Sequence, residues 1–162
     1  MKLYLDTSAW VKRYLLEEGS LEIDLAFERA AAKSHELVSS SWNIGECLGV
    51  FDKRMQKKEL SESEFNRILQ GFFRETCDLL GRGGFLLSPV SMEILAECWD
   101  LILEEHVYQA DALQLKTSLA ESCNILLAAD EAILRAAKKE GIEAISIEKS
   151  EDQMKLRELL KD

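Results

Sequence analysis

Two short apolar runs in this chain end in the same way. Leu3-Tyr4-Leu5 stops at Asp6, and Ile125-Leu126-Leu127-Ala128-Ala129 stops at Asp130. Apolar runs without polar alternation suit strands covered on both faces, the pattern of a parallel sheet. Each Asp leads straight into helix-like sequence. After Asp6, the residues Trp10, Val11, Tyr14 and Leu15 recur at helical intervals, and Thr7 or Ser8 can cap that helix. A carboxylate is thereby set at the carboxyl end of a strand, where open α/β sheets place their ligands. Asp is also a common turn and N-cap residue, so one such junction alone also reads as ordinary local structure.

The rest of the chain fills in an alternation of strands and helices. Glu17-Glu18-Gly19-Ser20 reads as helix end, turn and cap, with a second helix from Leu21 to Lys33. Glu36 to Ser39 is a strand, and Ser40 or Ser41 caps a third helix carrying Cys47, Val50, Phe51 and Met55 on one side. Ser61 and Glu64 form a capping box ahead of Phe65, Ile68, Leu69, Phe72 and Phe73. Gly81, Gly83 and Gly84 read as a loop. They lack the Gly-Lys-Ser/Thr that opens a phosphate-cradling helix, and a strand, Phe85 to Leu87, follows instead. A helix from Ser91 carries Ile94, Leu95, Cys98, Trp99 and Ile102, and another spans about Gln109 to Glu121. Beyond Asp130, a helix from Ala132 to Lys139 stops at Gly141, a last strand covers Glu143 to Ile147, and a charged amphipathic tail closes the chain. This order predicts a parallel sheet with helices on both sides.

Composition narrows the function. The 162 residues suit one domain with a sizeable core, at 47% hydrophobic and 31% charged. No apolar run reaches the length of a membrane span and no secretory signal pattern opens the chain, which predicts a cytoplasmic protein with no membrane partner. Cys47, Cys77, Cys98 and Cys123 are widely spaced and read as buried free thiols. The net charge of −10 argues against nucleic-acid binding by bulk charge, and leaves local binding through metal ions or a basic partner.

Two further acids stand among apolar residues. Glu46 lies in Trp42-Asn43-Ile44-Gly45-Glu46-Cys47-Leu48, and Asp111 in Ala110-Asp111-Ala112-Leu113. The helix dipole favours an Asp in a first turn, which is a sufficient local reason for Asp111. Glu46 has no such reason, and a buried unpaired carboxylate is costly. Asp6, Glu46, Asp111 and Asp130 can share one site only if a cation lies among them or some are protonated. An all-oxygen set selects a hard ion, Mg²⁺ or Mn²⁺. His35 and His106 are isolated and read as surface or helix-end residues.

Four segments, in order, resemble the acidic motifs of PIN domains. They are Tyr4-Leu5-Asp6-Thr7-Ser8-Ala9, Ser39-Ser40-Ser41 leading to Glu46, Ala110-Asp111-Ala112-Leu113-Gln114-Leu115, and Leu127-Ala128-Ala129-Asp130-Glu131-Ala132-Ile133-Leu134. The resemblance spans about residues 1–147, with 148–162 as a helical tail of the same domain. It implies a three-layer α/β/α sandwich around a central parallel sheet. It further implies a Mg²⁺- or Mn²⁺-dependent endoribonuclease acting on single-stranded or structured RNA, of the kind found as VapC-like toxins paired with an antitoxin. Asp6, Glu46, Asp111 and Asp130 would be the metal-binding and catalytic acids, supported by Thr7 and Ser8. Many members carry Thr or Ser where this chain has Ala128, which removes a hydroxyl near the last acid. Members often pair, and the Phe65–Phe73 stripe, the Trp99 helix and the tail offer apolar surface for a homodimer.

Lys53, Arg54, Lys57, Lys58, Arg135, Lys138 and Lys139 could guide RNA, or could simply solvate helix faces. A noncatalytic PIN module that binds RNA or protein is the alternative reading, and Ala128 supports it. A dehalogenase-like phosphatase would want Asp-x-Asp-x-Thr, where this chain has Thr7 and Ser8 after Asp6. A receiver would want an acidic pair near the first strand, and a dinucleotide-binding domain needs Gly-x-Gly-x-x-Gly; none of these is clear in the chain.

Overall fold

The computed structural model describes residues 1–161. Five strands, β1 (Lys2–Leu5), β2 (Glu36–Ser40), β3 (Phe85–Ser88), β4 (Ile125–Ala128) and β5 (Glu143–Ser146), form one sheet in the order β3-β2-β1-β4-β5. Every pairing is parallel. The order runs one way from β1 to β3 and the other way from β1 through β4 to β5. The carboxyl ends of β1 and β4 therefore flank the point where the winding reverses. The register sets Leu5 beside Leu127, and the Asp6 backbone N–H extends that ladder by donating to Leu127 O at 3.0 Å.

Alternate strand residues feed two cores, as the period of a strand requires. Leu3, Leu5, Leu37, Phe85, Ile125, Leu127 and Ile145 point to one side. They meet α1 (Thr7–Trp10), a 3-10 turn (Val11–Arg13), α2 (Ser20–Ala31), α3 (Ser41–Gln56), α4 (Glu62–Arg82) and α8 (Ser150–Leu159). Tyr4, Val38, Leu126, Ala128 and Ala144 point to the other side, against α5 (Met92–Glu105), α6 (Gln109–Ala120) and α7 (Glu131–Lys139). The result is the three-layer α/β/α sandwich with a central parallel sheet.

Several elements differ from their sequence expectation for local reasons. The helix after Asp6 is only one turn of α-helix and then tightens into the 3-10 turn. Its cap is Asp6 itself, not Thr7 or Ser8, because the Asp6 carboxylate accepts from Ser8 N at 2.8 Å. Trp10, fully buried, fixes this short element by ring contacts with Phe72 at 5.0 Å and Phe85 at 4.9 Å. Such aromatic pairs contribute about 0.5–1.5 kcal/mol each beyond the area they bury.

Gly81 is helical, since α4 runs on to Arg82 and ends at Gly83 with φ 74°. Cys77 is exposed on the outer face of α4, unlike the buried Cys47, Cys98 and Cys123; all four are free. His106 is exposed as the C-cap of α5, whereas His35 is half-buried at the amino end of β2.

The entry to α2 depends on Gly19, with φ 87°. A Cβ there would lie 2.2 Å from the carbonyl oxygen of Ile147. That close approach brings the β5 exit against the start of α2. In the segment after β5, α8 packs back on the first core through fully buried Leu156 and Leu160, and Arg157 pairs with the buried Glu22. No helix among the described residues is long and apolar enough to cross a membrane.

Candidate active site

Asp6 leaves β1 at the carboxyl edge of the sheet and is 4% exposed. Its Oδ2 accepts from the backbone N–H and the hydroxyl of Ser8. The same hydroxyl accepts from Ala129 N at 2.8 Å. Ser8 thus ties the end of β1 to the segment that leads from β4 into Asp130. Asp130 is exposed and caps α7, its Oδ1 accepting from Ala132 N at 2.6 Å. Both strand-end acids are therefore N-caps, and the ordinary local role of Asp holds for each alongside any other.

Glu46 comes from the second turn of α3 and is held by two partners. Thr7 Oγ1 donates to Glu46 Oε2 at 2.7 Å, and Gln114 Nε2 donates to the same oxygen at 3.0 Å. Gln114 Oε1 accepts from Asn43 Nδ2 at 2.6 Å and from Thr7 N at 3.3 Å. Asn43 Nδ2 also donates to Thr7 Oγ1 at 2.8 Å. Its Oδ1 accepts from Ser40 N and Tyr4 Oη, each at 3.2 Å. Tyr4, Asn43 and Gln114 are buried, so every hydrogen bond in this network counts against the cost of desolvating its members.

Sequence reading passed over Asn43, Gln114 and Tyr4. A signal for two of them was present: Asn43 precedes Glu46 by three residues and Gln114 follows Asp111 by three, each on the helix face of its acid.

Asp111 is half-buried in the first turn of α6. Burial, followed by the charges of Asp130 and Glu46, pushes its carboxyl up to about 6. Burial likewise pushes Asp6 up to about 6; Asp111 and Glu46 add to this, while the Ser8 hydrogen bonds oppose it. Asp111 and Glu46 thus bear on Asp6, and Asp130 and Glu46 bear on Asp111.

Among the described residues, no three His, Cys, Asp or Glu side chains form a ready metal cage. The donors still fit a hard ion that retains most of its water, which is how Mg²⁺ is usually held. One oxygen each of Asp6, Glu46 and Asp130 is fixed by protein donors, which orients the other without occupying it. Ala128 is fully buried in the second core, so that position adds packing and no polar group.

The basic residues divide into two sets. Arg54 is engaged by Glu17 and Glu59. Arg135, Lys138, Lys139 and Lys149 line a cavity of about 410 Å³ together with Glu131 and Asp152, and Lys139 and Lys149 also pair with Glu105 and Glu131.

Solved structures with this architecture are numerous but distant in sequence. PAE2754 from Pyrobaculum aerophilum superposes with a TM-score of 0.63 at 16% identity, over 98% of this chain and 99% of its own. FitAcB from Neisseria gonorrhoeae gives 0.62 at 13% identity, over 88% and 95%. SSO1118, a PilT N-terminus domain protein from the archaeon Sulfolobus solfataricus P2, gives 0.50 at 15%, over 96% and 93%. At such identities these likenesses establish the fold alone. No curated protein matches the chain significantly. The PIN domain family model matches residues 3–139, which takes in all four acids and every strand of the sheet except β5. The chain belongs to the PIN domain family.

Proposed function

We propose that this protein is a Mg²⁺- or Mn²⁺-dependent endoribonuclease that hydrolyses RNA phosphodiester bonds. The observation that carries the reading is that carboxylates from the end of β1, α3, α6 and the end of β4 come close enough for Glu46 to bear on both Asp6 and Asp111, and for Asp130 to bear on Asp111. Burial and neighbouring acids push Asp6 and Asp111 up to about 6. A divalent ion relieves that repulsion, and its residual charge attracts phosphate despite the net charge of −10.

Asp6, Asp111 and Asp130 would hold the ion, with Glu46 at its margin. When bound, the ion polarises the phosphate and lowers the pKa of an attacking water. Thr7 and Gln114 fix Oε2 of Glu46, which leaves Oε1 to orient that water and accept its proton. Ser8 holds Asp6 in place and links it to the approach to Asp130. The cations of α7, the helix that Asp130 caps, would guide the RNA backbone. The family resemblance extends the proposal to the toxin of a type II toxin–antitoxin pair in the cytoplasm, with an antitoxin as protein partner.

The test is cleavage of single-stranded RNA by the purified chain. Cleavage should require Mg²⁺ or Mn²⁺ and stop with EDTA. Asp6→Asn and Asp130→Asn should each lose roughly 100-fold or more, since several kcal/mol of charge stabilisation depend on the ion. Ala128 favours a second reading, a noncatalytic module that binds RNA or protein. RNA retained on the wild type without cleavage at any metal concentration would select it.

A further inference from the structure

Trp42 and Tyr108 are large aromatic residues left 53% and 77% exposed. They are not scattered. Both line one cavity of about 210 Å³, with Leu95, Gln109, Ala110 and Leu113. Trp42 lies in the first turn of α3, one turn before Glu46, and Tyr108 is the N-cap of α6, one turn before Asp111. Residues three and four apart share a helix face. The two helices that bring acids to the carboxyl edge therefore each bring an aromatic ring beside its acid, and the two rings share one hollow.

We propose that this cavity receives a nucleobase of single-stranded RNA, next to the phosphate that is cut, stacked on Trp42 and Tyr108. The proposal rests on the ribonuclease reading and adds how the substrate is gripped. Aromatic faces stack on any base, and only an unpaired base has a free face to offer. Gln109 supplies an amide donor and acceptor at the cavity wall for the base edge, while Leu95, Ala110 and Leu113 exclude water. The volume is on the scale of one base. Trp42 is one helical turn, about 5 Å of rise, from Glu46, and Tyr108 one turn from Asp111, so a base held there would carry its phosphate toward the acids. Stacking also adds affinity that does not depend on charge, which matters in a chain of net charge −10.

The experiment uses the full chain carrying Trp99→Phe, so that Trp42 is the one exposed tryptophan beside the buried Trp10. With Mg²⁺ present, adenosine 5′-monophosphate should quench its fluorescence, and ribose 5-phosphate, which lacks a base, should bind much more weakly. Trp42→Ala, read by competition or calorimetry, and Tyr108→Ala should each weaken nucleotide binding by about tenfold or more. Trp42→Phe and Tyr108→Phe should recover most of it. The same Ala variants should raise KM for RNA cleavage with kcat little changed. Both positions are exposed, so melting curves should not move.

Equal nucleotide affinity in the wild type and both Ala variants overturns the pocket, as does equal binding of the two phosphates or no nucleotide binding at all. Protection of Trp42 by a protein partner without any response to nucleotide likewise overturns it, in favour of a protein-docking site. Cleavage with an unchanged KM in the variants overturns the pocket and leaves the nuclease standing. Base-dependent quenching without cleavage keeps the pocket and removes the nuclease.

Discussion

Thr7 Oγ1 donates a 2.7 Å hydrogen bond to Glu46 Oε2 across 39 residues of chain. This bond couples the turn that follows Asp6 to the acid of α3, so the first two acidic segments are positioned together. Asn43 and Gln114 close the link by bonding Thr7 from the other side. The arrangement resembles a bracket: three segments are fixed to one another by polar side chains, and the Glu46 carboxylate is what they present.

Thr7→Val keeps the shape of the side chain and removes the bracket's hydroxyl. Asn43 loses one acceptor and Glu46 one donor, so stability should fall by about 1–2 kcal/mol. On the proposed chemistry, kcat for RNA cleavage should drop by roughly tenfold with KM nearly unchanged, because the loss is one of orientation. Thr7→Ser should restore both. A KM effect equal to the kcat effect would show that Thr7 acts in binding instead.

The pH dependence of metal-free stability follows from Asp6. Burial raises its folded pKa from the ordinary 3.8 to about 6. Between these values the folded state binds more protons than the unfolded state, so stability is full below about pH 4 and is lost as pH rises through 6. The share lost by pH 7 is on the order of 3 kcal/mol. Asp6→Asn cannot ionise, so without metal it should melt higher than wild type near pH 7 and close to wild type near pH 4. Melting curves at the two pH values, in EDTA, measure this directly.

Metal should close most of that gap. An ion that binds only the folded state stabilises it by about 2.7 kcal/mol at one hundred times its Kd. Mg²⁺ or Mn²⁺ at pH 7 should therefore raise the melting temperature of the wild type and leave Asp6→Asn nearly unmoved. An equal response in both proteins would remove Asp6 from the metal site.

Arg157 on α8 holds Glu22, a carboxylate only 2% exposed, through its Nε at 2.7 Å. Arg157→Ala strands that charge in the first core. The cost should be on the order of 2 kcal/mol, below the 3–5 kcal/mol of a fully buried pair because Arg157 is half in water. Replacing both residues, Glu22→Leu with Arg157→Met, should recover most of the loss in urea denaturation.

Met92, Trp99 and Leu103 leave α5 with exposures of 66%, 55% and 74%. By contrast, Phe65 and Leu69 of α4 and Leu156 of α8 are packed within the chain, and those helices expose Phe73, Leu80 and Met154 less fully than α5 exposes Leu103. If two copies pair, α5 is the surface that covers itself by doing so. Light scattering at micromolar concentration should show a dimer that Leu103→Glu reduces to one chain. A wild type present only at 18.4 kDa would rule the pairing out.

The layered fold was legible in the residue pattern for a local reason. Leu3-Tyr4-Leu5 and Ile125 to Ala128 are apolar at every position, and only a strand covered on both faces hides all of them. The same runs stop at Asp6 and Asp130, so the sequence by itself set two carboxylates at strand ends. That these ends are neighbours was decided by the strand order, which brings residues 122 positions apart, such as Leu5 and Leu127, into register by burying both cores at once. The grip on Glu46 was decided there too. Asn43 and Gln114 are ordinary polar residues in their own helices, and they become a network only where α3, α6 and the turn after β1 meet. Hydrophobic periodicity records what each segment must bury, whereas the pairing of polar side chains depends on distances between segments that exist only once the sheet is assembled.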